Sequence, residues 1–133
     1  MTLSSLVHKI EIPETMGTIR ERYEAPQSGS PVIIHIQDAH AHYEAQQNIQ
    51  KILGELTQKN GIDLIFIEGA MDRLEADRLR YFKKENLNRE LVDLLAKQGV
   101  VSGAEMFLYS VSFPRKRESM DPRLKHAGMT KNV

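Results

Sequence analysis

Residues 31–70 read PVIIHIQDAHAHYEAQQNIQKILGELTQKNGIDLIFIEGA, and the fold class turns on this stretch. Val32, Ile33, Ile34 and Ile36, with His35 among them, form a short β-branched run of the kind that fills a strand buried on both faces. Residues 37–42 are polar and turn-like. Ala45, Ile49, Ile52, Leu53 and Leu56 then recur at helical spacing, and Asn60-Gly61 supplies residues that tolerate the left-handed conformation closing a helix. Leu64, Ile65, Phe66 and Ile67 make a second apolar run that ends at Glu68-Gly69. Strand, helix and strand in this order predict a βαβ unit, with a parallel pair and a right-handed crossover.

On the N-terminal side, Leu6, in part His8, Ile10 and Ile12 keep a period of two, which predicts a half-buried strand. Pro13 stops it, and Gly17 allows a turn into residues 18–23, where Ile19 and Tyr23 alternate with charge; the pair predicts a β-hairpin. Residues 25–31 hold Pro26, Ser28, Gly29, Ser30 and Pro31 and read as a loop. On the C-terminal side, residues 72–84 predict a charged amphipathic helix with Leu74, Leu79 and Phe82 as its sparse apolar contacts. Asn86 or Asn88 can cap a further helix carrying Leu91, Val92, Leu94 and Leu95, stopped at Gly99. Ser102 followed by Glu105 is a capping box opening a short helix through Tyr109. The expected fold class is therefore α/β: an N-terminal β-hairpin, one βαβ unit and three helices. Its sheet is thin beside the usual five or six strands, so the domain is expected to be incomplete.

Charge divides the chain. The 133 residues carry 18 Lys+Arg and 18 Asp+Glu. Residues 1–112 hold 12 basic and 16 acidic side chains, and residues 113–133 hold 6 and 2, so an acidic part is balanced by a basic tail. The first is expected to be the folded domain. The second lacks an apolar period and reads as a solvated end without a fold of its own, or as a basic tail for nucleic acid or anionic lipid. Overall neutrality argues against a dedicated nucleic-acid binder. No apolar run approaches the roughly 18 residues of a membrane span, and residues 1–12 lack a signal-peptide core, so a cytoplasmic protein without membrane contact is expected. With no cysteine in the chain, disulfides, thiolate metal sites and cysteine nucleophiles are excluded.

His35, Asp38, His40, His42 and Glu44 lie within ten residues, and Glu68 ends the second apolar run. In a βαβ unit the C-terminal ends of both strands lie on one edge, outside which ligands bind. Imidazole and carboxylate together suit a divalent metal such as zinc or manganese, and equally suit metal-free general acid–base work. His40 and Glu68 are the leading candidates, with Asp38 beside them as a catalytic or metal-holding acid and His35 and His42 as supporting ligands. Each also has an ordinary reading. His35 reads as a hydrogen-bonded core histidine, Asp38 as a turn or cap residue, His42 as an exposed residue at the helix start, and Glu44 as a partner of the helix dipole. No Gly-rich phosphate loop and no GxSxG elbow occurs.

Residues 31–70, together with GVVSGAEMF at 99–107, resemble the opening of a bacterial family marked by the phrase IQDAH; the resemblance spans roughly residues 6–110. More distantly, the pattern is similar to the superfamily of haem-binding ChaN-like lipoproteins, erythromycin esterase-like proteins and TraB/TIKI-type metalloproteases. Those proteins carry Gly-Glu-x-His or Gly-x-x-His after the first strand and a glutamate ending the second. The resemblance implies a hydrolase-type site in which Asp38, His40 and Glu68 occupy the positions of that acid, histidine and glutamate, while Gln37 replaces the motif glycine. SFPRKRES and HAGMT, within residues 112–130, resemble the translation of a dispersed bacterial repeat. That resemblance implies a family domain truncated near Ser110. It sets a non-catalytic remnant, or a module binding partners or its own copies through an uncovered sheet edge, against the hydrolase reading.

Overall fold

The computed structural model describes residues 7–26, 29–38 and 41–114. Its helices are α1 (Tyr43–Asn60), α2 (Glu85–Lys97) and α3 (Gly103–Ser112), with a helical turn at residues 7–9 and a 3₁₀ turn at Ala76–Leu79. Among the described residues there is no strand and no sheet.

α1, α2 and α3 fall in the segments where helical spacing predicts them. α1 ends at Gly61 in the left-handed conformation, its N–H reaching the carbonyl of Leu56. α3 opens with the full capping box: Glu105 N donates to Ser102 Oγ at 3.3 Å, and Ser102 N donates to Glu105 Oε2 at 2.8 Å. α2 starts earlier than either candidate asparagine would have it, at Glu85, with Lys84 as an N-cap that makes no side-chain bond.

The α/β class is not observed. Residues 31–38 and 62–67 have no regular secondary structure, and in the first of them burial alternates as it does in extended chain: Val32, Ile34 and Ile36 are half-buried, while Ile33, His35 and Gln37 are exposed. Between the two segments there is no backbone hydrogen bond, so the βαβ pair does not form. The apolar side chains take a different partner. Val32, Ile34, Ile36 and Ile62 pack around Ile10, Ile52 and Leu56, filling the face of α1 that Ile12 and Met16 also cover. A two-stranded parallel pair has little to hold it in water, since a stable sheet needs three or more strands or a covering layer. Side-chain burial against α1 proceeds without the ladder.

The predicted hairpin fails similarly. Residues 7–9 are helical, and Leu6 lies outside the described residues. The turn at Pro13 is present, with Met16 N and Gly17 N both donating to its carbonyl at 2.8 and 3.2 Å. The returning segment is attached by the Arg22 guanidinium, which donates to the carbonyls of Val7 and Ile10, rather than by a ladder. The charged helix expected over residues 72–84 shrinks to the 3₁₀ turn. The buried Asn88 side chain explains its end: it accepts from Phe82 N at 2.6 Å and donates to Phe82 O at 2.8 Å, occupying the backbone groups a helix would use.

α1 and α3 make the most extensive helix contact. It depends on Gly103, where an added Cβ would sit 2.8 Å from Ile49 Cβ and collide with the carbonyl oxygen of Gln46. Beyond it, Val92, Ala96, Val101, Met106 and Tyr109 form a second core with Leu79, Leu95, Tyr43 and Phe113 against it. No helix among the described residues is long and apolar enough to cross a membrane.

Two outcomes are expected. Gly103→Ala forces α1 and α3 apart and lowers unfolding free energy by about 1–3 kcal/mol, read from the urea midpoint; an unchanged midpoint would contradict the close approach. Tyr109, 3 % exposed and donating to Glu85, has its pKa pushed up to about 12, first by burial and then by that hydrogen bond. A folded pKa above the unfolded value near 10 contributes stability present below pH 10 and lost as pH rises toward 12. Tyr109→Phe therefore flattens the alkaline limb of thermal stability between pH 10 and 12, and an equal loss in both chains would refute it.

Candidate functional site

The extended segment 31–38 runs along α1 and delivers Asp38 to the N-terminal turn of that helix. There Gln46, 5 % exposed, donates from Nε2 to Asp38 Oδ2, while its Oε1 accepts from Gly103 N at 2.6 Å. One buried amide thus joins the end of the extended segment, the first turn of α1 and the first residue of α3. A second contact lies one turn of chain away. Gly99 adopts φ +72°, and a Cβ there would stand 3.0 Å from Ala41 Cβ, so the α2–α3 turn packs against the residue before His42. Ala41 is itself left-handed, at φ +64°. Gly99 thus meets Ala41, and Gly103 meets Gln46.

The other site candidates fall in different surroundings. His35 faces outward on the extended segment, which removes its reading as a core histidine. His42 is the exposed N-cap of α1 and makes no side-chain cap bond. Glu44 lies in the first turn of that helix, where a carboxylate complements the dipole. Glu68 is exposed in the turn closing residues 62–67, where Ala70 N donates to Ile67 O at 3.2 Å. His40 lies outside the described residues. Among the described residues no three His, Asp or Glu side chains gather at metal-binding spacing. His35 and Asp38 line one side of a broad trough of about 1400 Å³ between residues 7–26, residues 31–38 and α1.

A second polar cluster adjoins α1. Tyr43 donates to Asp93 Oδ1 and accepts from Gln47 Nε2 at 2.9 Å, and Lys97 Nζ stands 2.7 Å from Asp93 and 5.3 Å from the Tyr43 ring centroid. The bond to Asp93, and secondarily burial, pushes the Tyr43 hydroxyl pKa up. Lys97 and then Tyr43, by hydrogen bonding, hold the Asp93 carboxyl below its ordinary value. These groups satisfy one another and clamp α2 to α1.

No family model, no curated protein and no solved structure matches this chain.

Sequence reasoning missed Gln46. The signal was present: Gln46 stands at helical spacing from Ile49, Leu53 and Leu56, on the face that should be apolar. A polar residue at such a position needs a buried partner, and here it has two.

Proposed function

We propose that the chain carries a hydrolase-type site centred on Asp38, with His40 and Glu68 as its further functional groups and His35 and His42 nearby in sequence. The observation supporting this is the buried Gln46 amide, which links Asp38 of the IQDAH phrase to Gly103 of the GVVSGAEMF segment. The two stretches that carry the family resemblance are thereby drawn together around one carboxylate. Two carboxylates and an imidazole form a donor set suited to zinc or manganese, so Asp38, Glu68 and His40 are the residues that would hold a metal. A bound dication would bring its water's pKa toward neutrality. Gln46 holds Asp38 in one direction, and Glu68, exposed in the turn after residues 62–67, is the second acid of this reading. The cytoplasm is the compartment assigned in this reading.

The test is a thermal-shift titration with Zn²⁺ or Mn²⁺ on the whole chain and on His40→Ala and Glu68→Ala. A metal at 100 times its dissociation constant raises stability by about 2.7 kcal/mol, and the variants should lose most of the corresponding shift. Absence of a metal-dependent shift in the unsubstituted chain would remove the metal-site reading.

A second, non-catalytic reading is favoured by a separate observation. Residues 31–37 hold no Asp, Glu, Lys or Arg, form no ladder among the described residues, and present Ile33 at 85 % exposure, with Phe66 at 87 % in residues 62–67. Such a segment can pair with its counterpart in a second copy. In sedimentation equilibrium this reading expects a concentration-dependent dimer that Ile33→Lys weakens at least about tenfold, a change of 1.4 kcal/mol. A monomer at all concentrations would eliminate it.

A further inference from the structure

We infer that Gln46 is the positioning residue of the Asp38 site and couples that site to the docking of α3. This rests on reading Asp38 as a site acid. The amide's orientation follows from chemistry. Gly103 N–H can only donate, so the Gln46 atom 2.6 Å away is the accepting Oε1. The NH₂ is thereby turned toward Asp38, whose carboxylate oxygen accepts from it. At 5 % exposure the side chain has little access to water as a substitute for either bond.

The Gly103 bond exists only while α3 is seated. Gly103 is the first residue of that helix, and its missing Cβ is what allows it to reach Gln46 and Ile49. Unseating the start of α3 releases Oε1, frees the amide to turn, and removes the constraint that Gln46 places on the Asp38 carboxylate. Helix formation alone does not call for glutamine here. An apolar side chain at position 46 would continue the face of Ile49, Leu53 and Leu56 without burying an amide. The buried amide is accounted for by its two specific partners.

Full-length unsubstituted, Gln46→Glu and Gln46→Met chains test the inference by NMR at pH 7 and by Mn²⁺ titration. Gln46→Glu keeps an acceptor for Gly103 N–H and removes the donor to Asp38; Gln46→Met removes both. The Asp38 carboxyl ¹³C signal is expected to move in both variants. Hydrogen-exchange protection of Gly103 should survive in Gln46→Glu and fall in Gln46→Met, and Mn²⁺ affinity should fall about tenfold or more in Gln46→Met. An Asp38 signal indifferent to both substitutions, or Mn²⁺ that the unsubstituted chain binds and Gln46→Met binds equally well, overturns the positioning role. If the unsubstituted chain binds no Mn²⁺ while the Asp38 signal still follows Gln46, the metal reading fails and the positioning role stands. Should Gln46→Met not fold, Asp38→Asn supplies the reciprocal test: the Gln46 side-chain NH₂ signals shift, and their constancy overturns the inference.

Discussion

The close approach of α1 and α3 at Gly103 governs the rest of the molecule. Without a Cβ at that position the first turn of α3 reaches the backbone of Gln46, and the Gln46 side chain reaches Gly103 N–H. The contact fixes α3, whose Met106, Phe107 and Tyr109 are buried. It also fixes the exit of the extended segment, because the same amide holds Asp38. A single buried polar group thus connects two elements separated by more than sixty residues of chain. Buried amides carry such connections well: fully paired they enforce one arrangement, and half-paired they cost more than an apolar side chain would.

Around that contact the two cores divide the work. The core on α2 and α3 combines apolar packing with polar clasps, notably Tyr109 with Glu85 and Arg89 with the Phe113 carbonyl. The core on the far side of α1 is made by extended chain laid on a helix face. Ile10, Ile12, Met16, Val32, Ile34, Ile36 and Ile62 compete for the surface offered by Ile52 and Leu56. Outward-facing Ile33, Leu64 and Phe66 are left exposed, since no second layer covers them among the described residues. The apolar content that suggested strands covered on both sides is real, but the structure buries only one side.

The candidate site was legible in part. Asp38 belongs to the cluster of titratable residues that follows the first apolar run, and its carboxylate accepts from the Gln46 amide near the start of α1. His35 sits in an apolar run that reads as buried throughout, whereas alternation places it outward with Ile33 and Gln37. Glu68 was expected beside Asp38 on a shared sheet edge; without a ladder between residues 31–38 and 62–67, that geometric argument no longer brings them together. Gln46 escaped notice because a neutral amide carries no titration or metal signature, and its role depends on a residue far along the chain.

The sequence by itself determined α1, α2 and α3, the Gly61 end of α1, the Ser102–Glu105 capping box of α3, the Pro13 turn, and the separation of an acidic stretch from a basic tail. Helical hydrogen bonds join residues four apart, so the information that makes them lies within the segment. Tertiary structure alone decided that residues 31–38 and 62–67 stay unladdered, that Asn88 takes the backbone of Phe82, and that Gln46 joins Asp38 to Gly103. Each of those outcomes is a choice among partners outside the segment. Backbone and side-chain groups bond to whatever packing brings near, and packing is a property of the whole chain.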